Sequence, residues 1–87
     1  MDLTIKKLKM NGMKDFGYFV AYDGFVCEKK YMARVFEMTL FEYQIMIEDE
    51  FHATAIKGWL TGNTYYYFKT KQEAENFIII AKLSRCS

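Results

Sequence analysis

The spacing of apolar and polar positions divides the chain before any motif is considered. Residues 3–10, 13–22 and 25–37 read as strands, separated by Asn11-Gly12 and Asp23-Gly24, two dipeptides suited to the positive φ of two-residue hairpin turns. The second turn sets Tyr22 opposite Phe25, Ala21 opposite Val26 and Val20 opposite Cys27, so the pairs beside it are apolar. In the first run the apolar phase shifts between Ile5 and Leu8. That shift predicts a bulge near Lys6-Lys7 or an irregular edge, whose lysines discourage pairing with another chain.

At Thr39 the period changes from two to 3.6. Thr39-Leu40-Phe41-Glu42 has the form of a capping box, in which the Thr hydroxyl accepts from the third helical amide and the Glu carboxylate reaches back to the cap amide. A helix is therefore expected over 40–50, with Leu40, Tyr43, Ile47 and Phe51 on one stripe and Phe41 and Ile45 on its flank. AIKGWLTGNTYYYFKT reads as a second hairpin, strands 55–60 and 64–69 around a Gly62-Asn63 turn. Its expected register sets Leu60 opposite Tyr65, Trp59 opposite Tyr66 and Lys57 opposite Phe68. Thr70 to Glu73 repeats the capping pattern and opens a helix over 71–83, with Ala74, Phe77, Ile78 and Ala81 on one face.

These elements predict a single compact domain over 1–87 of the α+β class, an antiparallel sheet of about five strands with two helices in the order βββαββα. Whether both hairpins join one sheet is left open by pattern alone. One feature strains the scheme. In the second hairpin Ile56, Leu60, Tyr65 and Tyr67 point one way while Trp59, Tyr66 and Phe68 point the other, and Ile79, Ile80 and Leu83 fall off the stripe of the last helix. The chain owns more apolar surface than one small core needs.

Charge is unevenly distributed along the chain. Twelve Lys and Arg against eleven Asp and Glu give +1 overall, without the basic excess of a general nucleic-acid binder. Residues 35–51, however, hold Glu37, Glu42, Glu48, Asp49 and Glu50 with no Lys or Arg, so the excess positive charge falls on the remainder. Three of these carboxylates sit at the expected C-terminus of a helix, where they oppose its macrodipole, and unfavourable placement points to use.

Catalytic and metal chemistry find little support. His52 is the single histidine and reads as a residue of the loop after the first helix. Cys27 and Cys86 read as a small core hydrophobe and a tail thiol, with a disulfide between them as the alternative. Cys27, His52 and Cys86 are too few and too scattered for zinc, and Glu48-Asp49-Glu50 lacks the alternating ligands and glycine of a calcium loop. No metal, cofactor or enzymatic activity is expected. Without a signal peptide or an apolar run long enough to span a bilayer, the protein is expected to be cytoplasmic, with no membrane role.

The leading expectation is a protein-binding modulator or inhibitor. Glu37, Glu42, Glu48, Asp49 and Glu50 would steer it to a basic surface on a larger protein, and Tyr43 and Phe51 would anchor it. The alternative is a single-stranded nucleic-acid binder, with Trp59, Tyr65, Tyr66 and Tyr67 stacking bases while Lys57 and Lys69 follow the phosphates, although the segment lacks the aromatic signature of the common RNA-recognition sheet. A structural or homo-oligomerising subunit is the third. In its compact build, across the whole chain, the protein resembles the small proteins that phages and mobile elements encode to block host-defence or nucleic-acid-handling enzymes, anti-CRISPR inhibitors among them. That resemblance implies a large host protein as partner and assigns no residue roles.

Overall fold

Residues 3–86 are described by the computed structural model, with side chains through Leu83. The strands are β1 (Leu3–Leu8), β2 (Gly17–Tyr22), β3 (Phe25–Val26), β4 (Thr54–Lys57) and β5 (Thr64–Phe68). The helices are α1 (Lys29–Val35), α2 (Leu40–Ile45), which runs on as a wider π-helical turn over Met46–Glu50, and α3 (Lys71–Cys86). All five strands share one antiparallel sheet in the order β1-β2-β5-β4, with β3 paired to the end of β2. The class is α+β as expected, but among the described residues there are three helices, and the order is βββααββα.

Asp23 and Gly24 both have positive φ, 52° and 82°, as a tight hairpin turn of this kind requires. The pairs Tyr22↔Phe25 and Ala21↔Val26 follow as expected, and the Cys27 amide donates to the Val20 carbonyl at 2.9 Å. The β1–β2 ladder differs from expectation. It runs unbroken from Leu3↔Tyr22 to Leu8↔Gly17, with no bulge at Lys6-Lys7, and it stops well short of Asn11-Gly12. That dipeptide still turns, with Met13 N–H donating to Met10 O at 3.0 Å, but positive φ occurs only at Gly12. The reason lies across the sheet. Residues 9–16 fold over its second face, and a Cβ on Gly17 would lie 2.5 Å from Tyr67 Cδ2 and 2.9 Å from Met13 Cε.

The third expected strand is the largest correction. It ends at Val26, and most of its remainder forms α1. Tyr31, Met32, Val35 and Phe36 recur at helical spacing among good helix formers, Lys, Met, Ala and Arg, so the period over 29–36 is 3.6. No Gly marks the end of α1. Glu37 instead takes the left-handed conformation, φ 56°, with Met38 N–H donating to Ala33 O at 2.9 Å and Glu37 N–H to Arg34 O at 3.1 Å, a Schellman motif built on a glutamate. The capping box of α2 forms in full: Glu42 N–H donates to Thr39 Oγ1 at 3.1 Å and Thr39 N–H to Glu42 Oε1 at 2.9 Å.

The second hairpin pairs Ile56 with Tyr65 and Lys57 with Thr64, four residues from the expected register. Its loop is wide, closed by Gly58 N–H to Asn63 O at 2.8 Å and Gly62 N–H to Gly58 O at 2.9 Å. An even shift preserves the faces. Tyr66 and Phe68 therefore meet the helices, while Ile56, Tyr65 and Tyr67 lie on the opposite face. The cap of α3 forms in part: Thr70 Oγ1 accepts from Glu73 N–H at 3.2 Å, and the Glu73 carboxylate takes the Thr70 hydroxyl at 2.9 Å.

The three helices cover one face of the sheet, and Phe77 is the centre of the core between them. Its ring lies 5.0 Å from Phe51, 5.4 Å from Phe68, 5.6 Å from Phe36 and 6.4 Å from Tyr43. Ala74, Ile78 and Ala81 flank it, buried on the expected stripe of α3. The other face carries a smaller apolar layer, in which Phe19, Ala21 and Met13 are buried and the Phe19 and Tyr67 rings lie 5.5 Å apart. Two layers account for part of the apolar surplus. They do not absorb all of it.

Candidate docking surface

The expected anchors of the acidic segment are not on the surface. Tyr43 is 1% exposed, its ring against Phe36, Tyr66 and Phe77. Phe51 is half-buried with its ring edge-on to Phe77. Both belong to the stripe that α2 turns toward the core with Ile47, so neither is free to anchor a partner. Burial also holds the Tyr43 hydroxyl protonated by pushing its pKa well above the ordinary phenol value.

What α2 presents outward is Phe41, 69% exposed, with Ile45 four residues on and Leu40 beside them, all three exposed. The pattern placed Phe41 and Ile45 beside the core stripe, and that off-stripe position was the available signal. Each carboxylate of the segment has its own setting. Glu37 is the exposed left-handed residue that stops α1. Glu42 is exposed and caps α2; the Thr39 amide first, and then its hydroxyl, holds the carboxyl below its usual pKa. Glu48 is half-buried and accepts a 2.7 Å hydrogen bond from Tyr66 OH, while desolvation first and Glu48 second raise the tyrosine's pKa. Asp49 and Glu50 are exposed at the end of the π turn. The macrodipole argument thus applies to Asp49 and Glu50, whereas Glu48 has a structural partner.

The alternative nucleic-acid set is divided. Tyr66 is buried in the helix-side core, which removes it from any stacking surface. Trp59 and Leu60, in the loop between β4 and β5, are 79% and 86% exposed and line an apolar cavity of about 320 Å³ with Met10 and Tyr65. Tyr67 and Lys69 line another, of about 510 Å³, with Lys14, Asp15 and Phe16. Lys57 is exposed on β4, at a position that alternation assigns to the helix side. Trp59, Tyr65, Tyr67 and Lys69 therefore collect on the helix-free face, and Tyr66 and Lys57 do not.

His52 is exposed and left-handed, φ 56°, ending the π turn as Ala53 N–H donates to Ile47 O at 3.0 Å. Cys27 is a free, half-buried thiol whose pKa desolvation pushes up to about 11. The side chain of Cys86, and with it the alternative disulfide, lies outside the described residues. Among the described residues no group of three His, Cys, Asp or Glu could hold a metal ion, and no helix is long and apolar enough to cross a membrane. Comparison of the chain with family models, curated proteins and solved structures finds no match to any of them.

Proposed function

We propose that the protein is a small non-enzymatic binding module that docks the outer face of α2 onto a basic surface of a larger protein, as a modulator or inhibitor. The observation that carries this reading is the exposure of Phe41 and Ile45 within a segment holding five carboxylates and no Lys or Arg. Interfaces commonly combine a desolvated apolar centre with a polar rim, the centre supplying lifetime and the rim encounter rate. Phe41, Ile45 and Leu40 supply such a centre, with Glu37, Glu42, Asp49 and Glu50 as the rim. The resemblance in build directs attention to nucleic-acid-handling and host-defence enzymes, whose substrate paths offer basic surface.

A second reading, single-stranded nucleic-acid binding by the helix-free face, is favoured by the grouping of Trp59, Tyr65 and Tyr67 with Lys69. One experiment separates them. Tagged parent, Phe41→Ser with Ile45→Ser, Asp49→Asn with Glu50→Gln, and Trp59→Ala are each used to capture binding material from cells. The α2 reading expects a large protein that Phe41→Ser with Ile45→Ser loses, that Asp49→Asn with Glu50→Gln binds with a slower on-rate and weaker salt dependence, and that Trp59→Ala retains. Capture that ignores both α2 variants overturns it. Oligonucleotide binding that weakens steeply with salt and is lost in Trp59→Ala would establish the second reading instead.

A further inference from the structure

The edge of β2 is shared. Tyr18 and Phe19 pair with β5, and Ala21 and Tyr22 pair with β3, so β5 and β3 meet the same edge one after the other. Between them lies a cavity of about 370 Å³, lined by Tyr22, Phe25, Tyr31, Tyr65, Val26 and Cys27 together with Asp23 and Glu28. Four aromatic and two acidic residues line one space, and among the described residues no Lys or Arg does. The Tyr22 and Tyr31 rings are stacked 6.4 Å apart at 20°, and Phe25 is 77% exposed at the rim.

Two nearby lysines have hydrogen-bond partners of their own. Lys6 Nζ donates to Gly24 O at 3.1 Å and Lys29 Nζ to Gln44 Oε1 at 2.7 Å. Glu28 occupies the N-cap position of α1 yet makes no side-chain cap hydrogen bond, so the helix does not use its carboxylate. Ring faces attract cations, most strongly when the cation is readily desolvated, and a guanidinium both stacks on rings and pairs with carboxylates.

We propose that this cavity receives the guanidinium end of an arginine side chain carried by a protein partner. A protein-borne group fits better than free arginine, because the α-carboxylate of the free amino acid would find two acidic residues and, among the described residues, no cation in the lining. The volume admits the guanidinium with part of its stem. The site is distinct from the outer face of α2, so either can fail without the other.

The test is titration of the whole protein, at low ionic strength, with acetyl-Gly-Arg-Gly-amide and with the isosteric citrulline peptide, followed by amide chemical shifts. The arginine peptide should perturb residues 22–31 and 65 and bind at least tenfold more tightly than the citrulline peptide. Phe25→Leu should weaken it about two- to fivefold, the range expected for one exposed cation–π contact. Asp23→Asn with Glu28→Gln should weaken it further, and Phe41→Ser should leave it unchanged. Equal binding of the citrulline peptide, or shifts confined to other regions, would overturn the proposal without needing any variant. So would tighter binding of free arginine, or of the corresponding trimethyllysine peptide, than of the blocked arginine peptide.

Discussion

At the scale of single residues, two glutamates show how backbone and charge constrain this chain. Glu37 holds a left-handed conformation at the C′ position of α1, where a Cβ costs about 1 kcal/mol and glycine costs almost nothing. Glu37→Gly should therefore raise stability by about 0.5–1 kcal/mol, read as a higher urea midpoint at unchanged slope, whereas Glu37→Ala should gain little. Glu42 acts through its charge. Its folded pKa is depressed, first by the Thr39 amide, so its contribution is present above the ordinary glutamate pKa of about 4.3 and is lost as pH falls through the lower folded value. Glu42→Gln should remove that part of the acid-side decline and leave a flatter stability profile below about pH 4.3, measured by urea unfolding at a series of pH values.

At the scale of elements, the segment over 9–16 and β2 are fitted to each other at Gly17. A methyl group there would meet the ring of Tyr67 and the end of Met13 at distances that real Cβ atoms do not keep, so both must give way. Gly17→Ala should destabilise the protein by about 1–3 kcal/mol, the usual cost of overpacking. Met13→Ala relieves only the contact with Met13 and leaves the closer one with Tyr67, so it should recover only part of the loss in the double variant, which a thermodynamic cycle on urea midpoints would show. The helix-side elements depend less on close approach and more on volume.

At the scale of the whole molecule, the helix-side core converges on Phe77, which touches aromatic rings from the α1 cap residue, α2, the end of the π turn and β5. Phe77→Ala should cost about 3–5 kcal/mol, a large part of the stability of a domain this small, and is expected to show as loss of a cooperative thermal transition at physiological temperature. Asp49→Asn with Glu50→Gln should do the opposite: it removes like charges from the C-terminal end of a helix, so stability should hold or rise slightly by the same measurement. Stability and binding therefore pull apart at α2, which is where the proposed docking surface lies.

Local chemistry was enough to determine the Asp23-Gly24 turn with its register, the Thr39 cap, the start of α3 and its buried stripe, and the face assignment of β5. Each depends on groups a few residues apart, or on an alternation that survives a shift of register. The end of β3 and the beginning of α1 were hidden because Tyr, Met, Val and Phe suit either period over a short run and because the helix stops on Glu37 with no glycine to mark it. The four-residue shift in the second hairpin came from a wide loop closed through Gly58 and Gly62, which the Gly62-Asn63 pair alone does not disclose. Spacing separated the faces, but which face became surface was a tertiary decision. Tyr43 and Phe41 lie two positions apart in one helix, and only the placement of Phe77, Phe36 and Tyr66 around α2 buries the first and leaves the second in water. The cavity between β3 and β5 is tertiary in the same sense, since Tyr22, Glu28 and Tyr65 share one space only because two strands meet the same edge of β2.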